Sequence, residues 1–339
     1  MGTRPCTWLA TRMSALICLA AGCSRYQSAQ NPAGPQAERL YSLWIFQLVV
    51  AAAVFLVVIG FAAIATRRAA RNTEPAHDDQ VAQRKLTRAV VAATGVTVVI
   101  LFISFIYNLT TGRALASLPA KSALTIEITG RQWWWDVEYV DTVPSRRVVT
   151  ANEIHVPVGA PIQILAKSHD VIHSLWVPNL HGKKDLIPGH TTATWFQADS
   201  AGLYRGQCAE FCGHQHAKMA LWVVAEPREA YEKWYAGQLT TPPAPSDSVA
   251  RAGQALFLSK TCAMCHNIGG TLAGSRVGPD LTHIASRRSI AAGTIANTPA
   301  NLASWIKDPQ TIKPGSRMPA TALSKSELDA LVTYLETLR

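Results

Sequence analysis

The segment that decides how this chain folds and functions reads Gly206-Gln207-Cys208-Ala209-Glu210-Phe211-Cys212-Gly213-His214-Gln215-His216-Ala217-Lys218-Met219. It combines two thiolates, imidazole and a thioether in one loop, and soft ligands of this kind favour copper. A blue-copper site with one metal needs a single cysteine, two histidines and a weak methionine ligand. The second cysteine therefore allows two sulfurs to bridge two copper ions. Such a pair suits electron transfer, because one electron can be shared with little change in geometry.

A second ligand-rich segment lies upstream and reads Ser168-His169-Asp170-Val171-Ile172-His173-Ser174-Leu175-Trp176-Val177-Pro178. Both segments fall within a region of short β-rich stretches separated by turn residues. These stretches are Leu124–Thr129, Trp133–Tyr139, Arg147–Thr150, Glu153–Val156, Ile162–Ala166, Thr192–Gln197 and Met219–Val224. Their number and spacing predict a Greek-key sandwich or a small barrel over residues 122–237.

The two ligand-rich segments together resemble cytochrome c oxidase subunit II over roughly residues 40–235. The resemblance implies a cupredoxin-like Greek-key domain that holds a binuclear copper centre, CuA. The ligands that carry over are His173, Cys208, Glu210 through its backbone carbonyl, Cys212, His216 and Met219. The Glu210 side chain matches the family's contact to a magnesium ion shared with subunit I. Trp133, in the aromatic string Gly130-Arg131-Gln132-Trp133-Trp134-Trp135, matches the tryptophan through which electrons reach the copper.

Other ligand sets are compatible with the spacing alone. His169 and His214 lie beside the expected ligands, and only the family pattern places them outside the site, as exposed loop residues. Two cysteines and two histidines also suit zinc. Met219 and the β-rich context count against zinc. Short-range disulfides within the pairs Cys208/Cys212 and Cys262/Cys265 are the other alternative for an exported protein.

The C-terminal part of the chain contains Cys262-Ala263-Met264-Cys265-His266, the attachment signature of a c-type haem. Cys262 and Cys265 would bind the haem covalently, and His266 would be one axial iron ligand. Met318, within Pro314-Gly315-Ser316-Arg317-Met318-Pro319, is the expected sixth ligand, and His283 is its rival. The segment resembles an all-α class I cytochrome c over residues 247–339. A proline-rich linker over residues 238–246 would join it to the copper domain.

The N-terminal third accounts for much of the chain's 48% hydrophobic content and predicts a membrane hairpin over residues 40–112. Leu43–Ala65 and Ala89–Leu109 are uncharged and long enough to cross an apolar layer of about 30 Å. The connecting loop is rich in arginine, which places it in the cytoplasm. We therefore expect a bacterial plasma-membrane protein whose copper and haem domains lie on the outer, periplasmic face. The net charge of +10 reflects these flanking residues rather than a nucleic-acid surface.

The first residues have the pattern of an export signal, predicted over residues 1–22. The signal ends in Leu19-Ala20-Ala21-Gly22-Cys23, which resembles a lipoprotein cleavage box. Cys23 would then carry a lipid, and residues 23–39 would form a short exported segment. Ordinary cleavage, or a leader that is retained, is the alternative.

The resemblance as a whole implies subunit II of a proton-pumping cytochrome c oxidase with a fused haem c domain. Electrons would pass from the haem through CuA to the haem–copper site of subunit I, where oxygen is reduced to water. The implied partners are subunit I, subunit III and an upstream cytochrome c or bc1-type complex. One departure is the stretch Gln83–Val90, which lacks the carboxylate that the family commonly uses for proton entry.

Two other functions compete with this one. The equivalent subunit of a CuA-containing nitric oxide reductase has the same expected ligands, and the sequence of subunit I would distinguish it. A copper-trafficking or assembly lipoprotein is the non-enzymatic alternative, and the aromatic string and the fused haem domain count against it. A quinol oxidase subunit is excluded if copper fills the ligand set, because those enzymes lack the site.

Overall fold

The computed structural model describes residues 26–71, 80–117 and 124–339. These residues form two units, of which one is a helical hairpin over Glu38–Ser117. The other unit contains a β-sandwich domain and a small helical domain. The predicted signal over residues 1–22 and the predicted lipid site Cys23 lie outside the described residues.

The hairpin consists of α1 (Pro35–Ala69) and α2 (Gln80–Ala116). Both helices are long and apolar enough to cross a membrane, with mean hydropathies of 3.0 and 2.6 in their most apolar windows. The helices pack on each other at Phe46 and Tyr107, whose ring centroids are 5.1 Å apart. Each helix is longer than the uncharged run that predicted it, because the flanking segments contain residues of high helix propensity such as Glu38, Arg67 and Lys85.

Ten strands build the sandwich: β1 Leu124–Arg131, β2 Trp134–Val140, β3 Val148–Ala151, β4 Glu153–Pro157, β5 Ile162–Ser168, β6 His173–Trp176, β7 Lys184–Leu186, β8 Thr192–Phe196, β9 Gly202–Cys208 and β10 Ala220–Glu226. One sheet has the order β3-β2-β1-β5-β8 and the other β4-β10-β9-β6-β7. Buried residues alternate along β1, β5 and β9, as in the fully buried Ile126 and Ile128. The predicted all-β fold class is confirmed.

Three strands, β6, β7 and β9, were not predicted from the sequence. Strand β9 contains Gly202, Gly206 and two polar residues, and this composition has weak β propensity. It forms because it pairs with β10 on one side and with β6 on the other. The pairing of β9 with β6 is also what brings the two ligand-rich segments together.

The expectation that a strand begins at Trp133 was wrong. Arg131 of β1 pairs directly with Trp134 of β2, so Gln132 and Trp133 form the two-residue turn of a hairpin. A turn residue has no strand neighbour to pack on, so its side chain is free to leave the sheet. This position lets Trp133 approach the copper-ligand loop instead of joining the sheet.

The helical domain follows α3 (Arg228–Gln238) and a linker, and contains α4 (Ser248–Ser259), α5 (Pro299–Lys307), α6 (Pro309–Ile312) and α7 (Lys325–Thr337), with a small hairpin of β11 (Ser289–Ile290) and β12 (Ile295–Ala296). Helices α4 and α7 cross in close contact at Gly253, where a Cβ would lie 2.0 Å from the carbonyl oxygen of Ala330. Helix α3 belongs to the sandwich, because Trp234 stacks on His155 of β4 with a centroid distance of 4.1 Å.

Candidate metal centre and haem cavity

The predicted copper ligands meet at one end of the sandwich. His173 is the first residue of β6, Cys208 is the last residue of β9, and Met219 immediately precedes β10. The antiparallel pairing of these strands places those three positions side by side. The loop between β9 and β10 supplies the remaining ligands, and a short 3-10 turn over His216–Lys218 returns the chain to β10.

The donor atoms of the predicted copper ligands lie close together, and His173, Cys208 and Cys212 form a group that could hold a metal ion. The Sγ atoms of Cys208 and Cys212 are 3.8 Å apart. Each sulfur has one imidazole beside it, at 3.9 Å for the Nδ1 atom of His173 and 3.6 Å for the Nδ1 atom of His216. Each sulfur also has one weaker donor, the Glu210 carbonyl oxygen at 3.1 Å from Cys208 and the Met219 Sδ atom at 3.8 Å from Cys212.

The burial of the cluster agrees with a closed metal site. His173 and Met219 are fully buried, and both cysteines are nearly so. The sequence therefore anticipated six residues that the structure brings together, while their role as ligands stays a prediction. The hydrogen bond from the Cys212 thiol lowers the pKa of Cys208. This shift favours the thiolate form of Cys208, which is the form that binds metals.

Asp170 orients His173 from outside the cluster. The Nε2 atom of His173 lies 2.8 Å from the Oδ1 atom of Asp170, so the imidazole presents its Nδ1 atom to the sulfurs. Burial alone would raise the pKa of Asp170, but hydrogen bonds from His173 and from the N–H groups of Gln132 and Val171 lower it to about 2. Sequence analysis missed this role, although Asp170 stands three residues before His173.

A glycine makes room for the His173 ring. A Cβ at Gly130 would lie 2.6 Å from the Cδ2 atom of His173. Any larger residue at this position would therefore displace the His173 imidazole. The glycine at the end of β1 therefore leaves the space that the His173 ring occupies.

The two rival histidines lie apart from the cluster. His169 and His214 are both exposed, and the His214 ring packs edge-on against Trp133 with a centroid distance of 6.5 Å. The sequence spacing left both open as ligands. Their exposure agrees with the expectation that they are loop residues.

Trp133 connects directly to the ligand loop. Its indole Nε1 donates a hydrogen bond of 2.8 Å to the carbonyl oxygen of Cys212, and the residue is only 9% exposed. The neighbouring Trp134 lies half-buried with the Arg131 guanidinium 5.5 Å above its ring. The indole of Trp133 is therefore held against a residue of the ligand cluster by a specific contact.

A cavity of about 610 Å³ lies between the helical domain and the β-sandwich, and the predicted haem ligands Cys262, Cys265, His266 and Met318 line it. The Nδ1 atom of His266 donates 2.7 Å to the Pro279 carbonyl oxygen, which leaves Nε2 available to an iron. A Cβ at Gly278 would lie 2.6 Å from the His266 ring, so glycine is needed beside this histidine. Size, lining and histidine orientation all fit a covalently bound haem.

Arg287 supplies a further sign of a charged ligand in this cavity. It is 7% exposed and lines the cavity, and its Nε atom has no hydrogen-bond partner among the described residues. One of its other nitrogens donates 2.6 Å to the carbonyl oxygen of Asp280. A buried guanidinium with an unused donor suits an acidic substituent, such as those on a haem ring.

His283 does not line this cavity. Its Nδ1 atom donates 2.7 Å to the carbonyl oxygen of Arg339, and its ring is buried in the helical domain. Met318 does line the cavity, on the loop before α7. The arrangement therefore favours Met318 over His283 as the sixth iron ligand.

We expect Met318→Ala to leave the haem attached but to change its distal ligation. Covalent attachment depends on Cys262 and Cys265, which the substitution does not affect. The weak red absorption band of methionine-ligated ferric haem should disappear in the variant. Persistence of that band would identify a different ligand, and His283→Ala serves as the matched control that should leave the band unchanged.

The same cavity is lined on its other side by the β-sandwich, through Arg131, Gln132, Trp133, Trp134, Asn152, His169 and Asp170. Ionic contacts surround it. Arg276 lies 3.6 Å from Asp136 and 3.4 Å from Glu138, and Arg317 donates 2.6 Å to Gln132. Backbone N–H groups also donate across the interface. The N–H of Ala220 donates to the carbonyl oxygen of Ala292, and the N–H of Arg288 donates to the carboxylate of Glu153.

Comparisons with known proteins agree with both halves of this site. The family model "Cytochrome C oxidase subunit II, periplasmic domain" matches residues 142–226, and "Cytochrome c" matches residues 250–339. Cytochrome c oxidase subunit 2 of Alkalihalophilus pseudofirmus is 33% identical, covering 92% of this chain and 91% of that protein. The Bacillus subtilis protein of the same name is 29% identical over 98% of each chain. A solved periplasmic domain of cytochrome oxidase subunit II from Bradyrhizobium japonicum shows 31% identity over 36% of this chain and 96% of its own, with a TM-score of 0.34.

Proposed function

Because the chain belongs to the cytochrome c oxidase subunit II family, we propose that it is the electron-entry subunit of a haem–copper oxidase. Electrons would pass from its own C-terminal haem domain to its copper site, and then to subunit I, where oxygen is reduced to water. The haem c and the two copper ions, when bound, supply one-electron redox chemistry. The protein residues hold these groups, orient them and exclude water between them.

The observation that carries this proposal is the shared cavity. The haem-attachment residues Cys262 and Cys265 line it on one side, and Trp133 and Trp134 line it on the other. Trp133 in turn donates its indole hydrogen bond to Cys212, a predicted copper ligand. A continuous set of packed groups therefore leads from the haem cavity to the copper cluster.

The charges around the cavity support an internal electron donor. The acidic residues beside the aromatic string, Asp136 and Glu138, are paired with Arg276 of the haem domain. Asp170 lies 4.0 Å from Arg317 of the same domain. The acidic groups that would attract a basic external cytochrome to Trp133 are thus already engaged by the tethered domain.

Glu210 has the orientation expected for two separate roles. Its carbonyl oxygen faces Cys208, while its carboxylate lies 3.4 Å from Lys183 and its side chain is 43% exposed. An exposed carboxylate beside the copper loop suits a magnesium contact with subunit I. We propose this metal, and association with subunits I and III, on the family resemblance.

The two apolar helices and the arginine-rich connection support the proposed location. The hairpin would cross the bacterial plasma membrane and place the copper and haem domains on the periplasmic face. An upstream cytochrome c or bc1-type complex would reduce the haem domain.

Proton pumping is part of the proposal, with an entry arrangement that does not use a carboxylate within Gln83–Val90. Turnover of the purified complex on oxygen, compared with nitric oxide, tests the terminal reaction.

We expect a soluble fragment from Ser122 to Gly237 to bind two copper ions per chain and to be purple. The fragment contains all six predicted ligands and the complete sandwich. Metal analysis and an EPR hyperfine pattern from one electron shared by two copper nuclei are the measurements. One copper per chain, or bound zinc, would contradict the assignment.

A further inference from the structure

Lys313 is a buried lysine at the edge of the haem cavity to which the proposed function assigns no role. It follows α6, on the loop that leads to Met318, and is only 3% exposed. Its Nζ atom donates 2.9 Å to the carbonyl oxygen of Trp133 in the copper domain and 3.2 Å to that of Ala291 in its own domain. Lysine is almost never buried to this extent unless its charge is compensated.

Burial of this amine has a cost. Desolvation, together with nearby Lys218 and against an opposing effect of Cys212, lowers the pKa of Lys313 to about 7. Its hydrogen-bond partners are neutral carbonyl oxygens, which compensate a charge less well than a carboxylate. An apolar residue at this position would avoid the desolvation cost but would lose the hydrogen bonds to the carbonyl oxygens of Trp133 and Ala291.

With Lys313 present, Trp133 is held by hydrogen bonds at both its backbone and its side chain. The carbonyl oxygen of Trp133 accepts from Lys313, and its indole donates to the carbonyl oxygen of Cys212 at 2.8 Å. The Lys313 end belongs to the same loop as Met318, and Gln310 ties this loop together by donating to the carbonyl oxygens of Ser316 and Met318. Two consecutive hydrogen bonds, from Lys313 to Trp133 and from Trp133 to Cys212, therefore connect the predicted haem-ligand loop with the predicted copper-ligand loop.

We propose that Lys313 is a positioning residue for electron transfer between the two domains, and that it acts by fixing the backbone of Trp133 from the haem side. The inference rests on the proposed function, because it assumes that electrons cross this interface. It adds a residue from the haem domain to the path at Trp133.

Three other cationic side chains, Arg276, Arg317 and Lys218, also make contacts across the interface, but all three are exposed. Arg276 and Arg317 have side chains that are 51% and 62% exposed, and ion pairs at this exposure contribute little and are screened by salt. Arg317 contacts the turn between β1 and β2 through the side chain of Gln132, whereas Lys313 contacts the backbone of Trp133. Lys313 is buried at the centre of the contact, where a small displacement changes the distance between donor and acceptor.

The test uses the complete oxidase complex in four forms. These are the wild type, Lys313→Met, Lys313→Gln and the control Lys307→Met, which changes an exposed lysine at the end of α5. A photoreductant reduces the haem c, and the rate at which the copper centre becomes reduced is followed optically. Haem content, the methionine-to-iron band, copper EPR and the haem reduction potential are measured on the same samples.

We expect Lys313→Met to slow this internal transfer by about tenfold or more, since misplacement of a reacting group by about 1 Å is enough for such losses. Copper EPR, haem content and haem potential should stay as in the wild type, which a general loss of structure would not allow. Lys313→Gln keeps a hydrogen-bond donor, but its side chain is too short to reach both carbonyl oxygens. Its transfer rate should therefore lie between those of the wild type and Lys313→Met. The control should match the wild type.

Transfer rates within twofold of the control in both Lys313 variants would overturn the inference. If Lys313→Met loses its haem, the decision passes to Lys313→Gln, and an unchanged rate there overturns the inference equally. A slower rate that appears only together with altered copper EPR also overturns it. Failure of the proposed function looks different, because then even the wild-type haem would not reduce the copper.

Discussion

Replacing Cys208 with serine is expected to abolish the shared-electron copper signal and, with it, oxidase turnover. The Cys208 sulfur lies 3.8 Å from that of Cys212, 3.9 Å from the Nδ1 atom of His173 and 3.1 Å from the Glu210 carbonyl oxygen. One remaining thiolate cannot bridge two copper ions in the same way, and a hydroxyl is a poor ligand for soft copper. Turnover should fall by orders of magnitude, since this site would be the entry point for all electrons.

The measurements are copper content, EPR and oxygen consumption of the variant complex. His214→Ala is the matched control, because His214 lies in the same loop but is exposed. His216→Ala should weaken or lose the signal, whereas His214→Ala should keep it. A two-copper signal of normal shape in Cys208→Ser would show that the sulfurs do not bridge the metals.

Removing the haem domain by truncation after Gly237 is expected to leave the copper intact but to reduce turnover sharply with a physiological donor. The linker between α3 and α4 is short, and an extended chain spans at most about 3.3–3.6 Å per residue. Tethering at this length gives effective concentrations of roughly millimolar. The truncated enzyme would also leave Asp136 and Glu138 without Arg276, and Trp133 without Lys313.

Two measurements separate this effect from general damage. Copper EPR of the truncated complex should match that of the complete enzyme. A small redox dye that reduces copper directly should restore turnover, because the path beyond the copper is unchanged. Full turnover with the physiological donor, at the same donor concentration, would show that the haem domain is not on the main electron path.

Much of the fold was predictable from local patterns. The membrane helices follow from two uncharged runs, and the sandwich follows from seven of its ten strands. The strands that escaped prediction are short or glycine-containing, as in β9, and they form because neighbouring strands supply their hydrogen bonds. Such pairing is a tertiary effect that overrides weak local propensity.

Some residues of the candidate site were predicted from the sequence, and others were identified only in the structure. The residues predicted as ligands were found because each group of them is close in sequence. Asp170, Gly130, Arg287 and Lys313 were not singled out. Their importance depends on what they face: the His173 ring, the haem cavity or the Trp133 carbonyl. No spacing rule connects these residues with their partners.

The sequence by itself predicted which groups the chain binds, because a short loop with Cys208, Cys212, His216 and Met219, and a Cys-x-x-Cys-His string, restrict the possible cofactors. Covalent connection alone keeps such residues within reach of one metal or one haem. Only the tertiary structure decided which histidine turns inward, where Trp133 lies and how the haem cavity meets the copper domain. Lys313 and Trp133 are 180 positions apart, and contacts at that separation arise from the packing of two domains, which leaves no local pattern in the sequence.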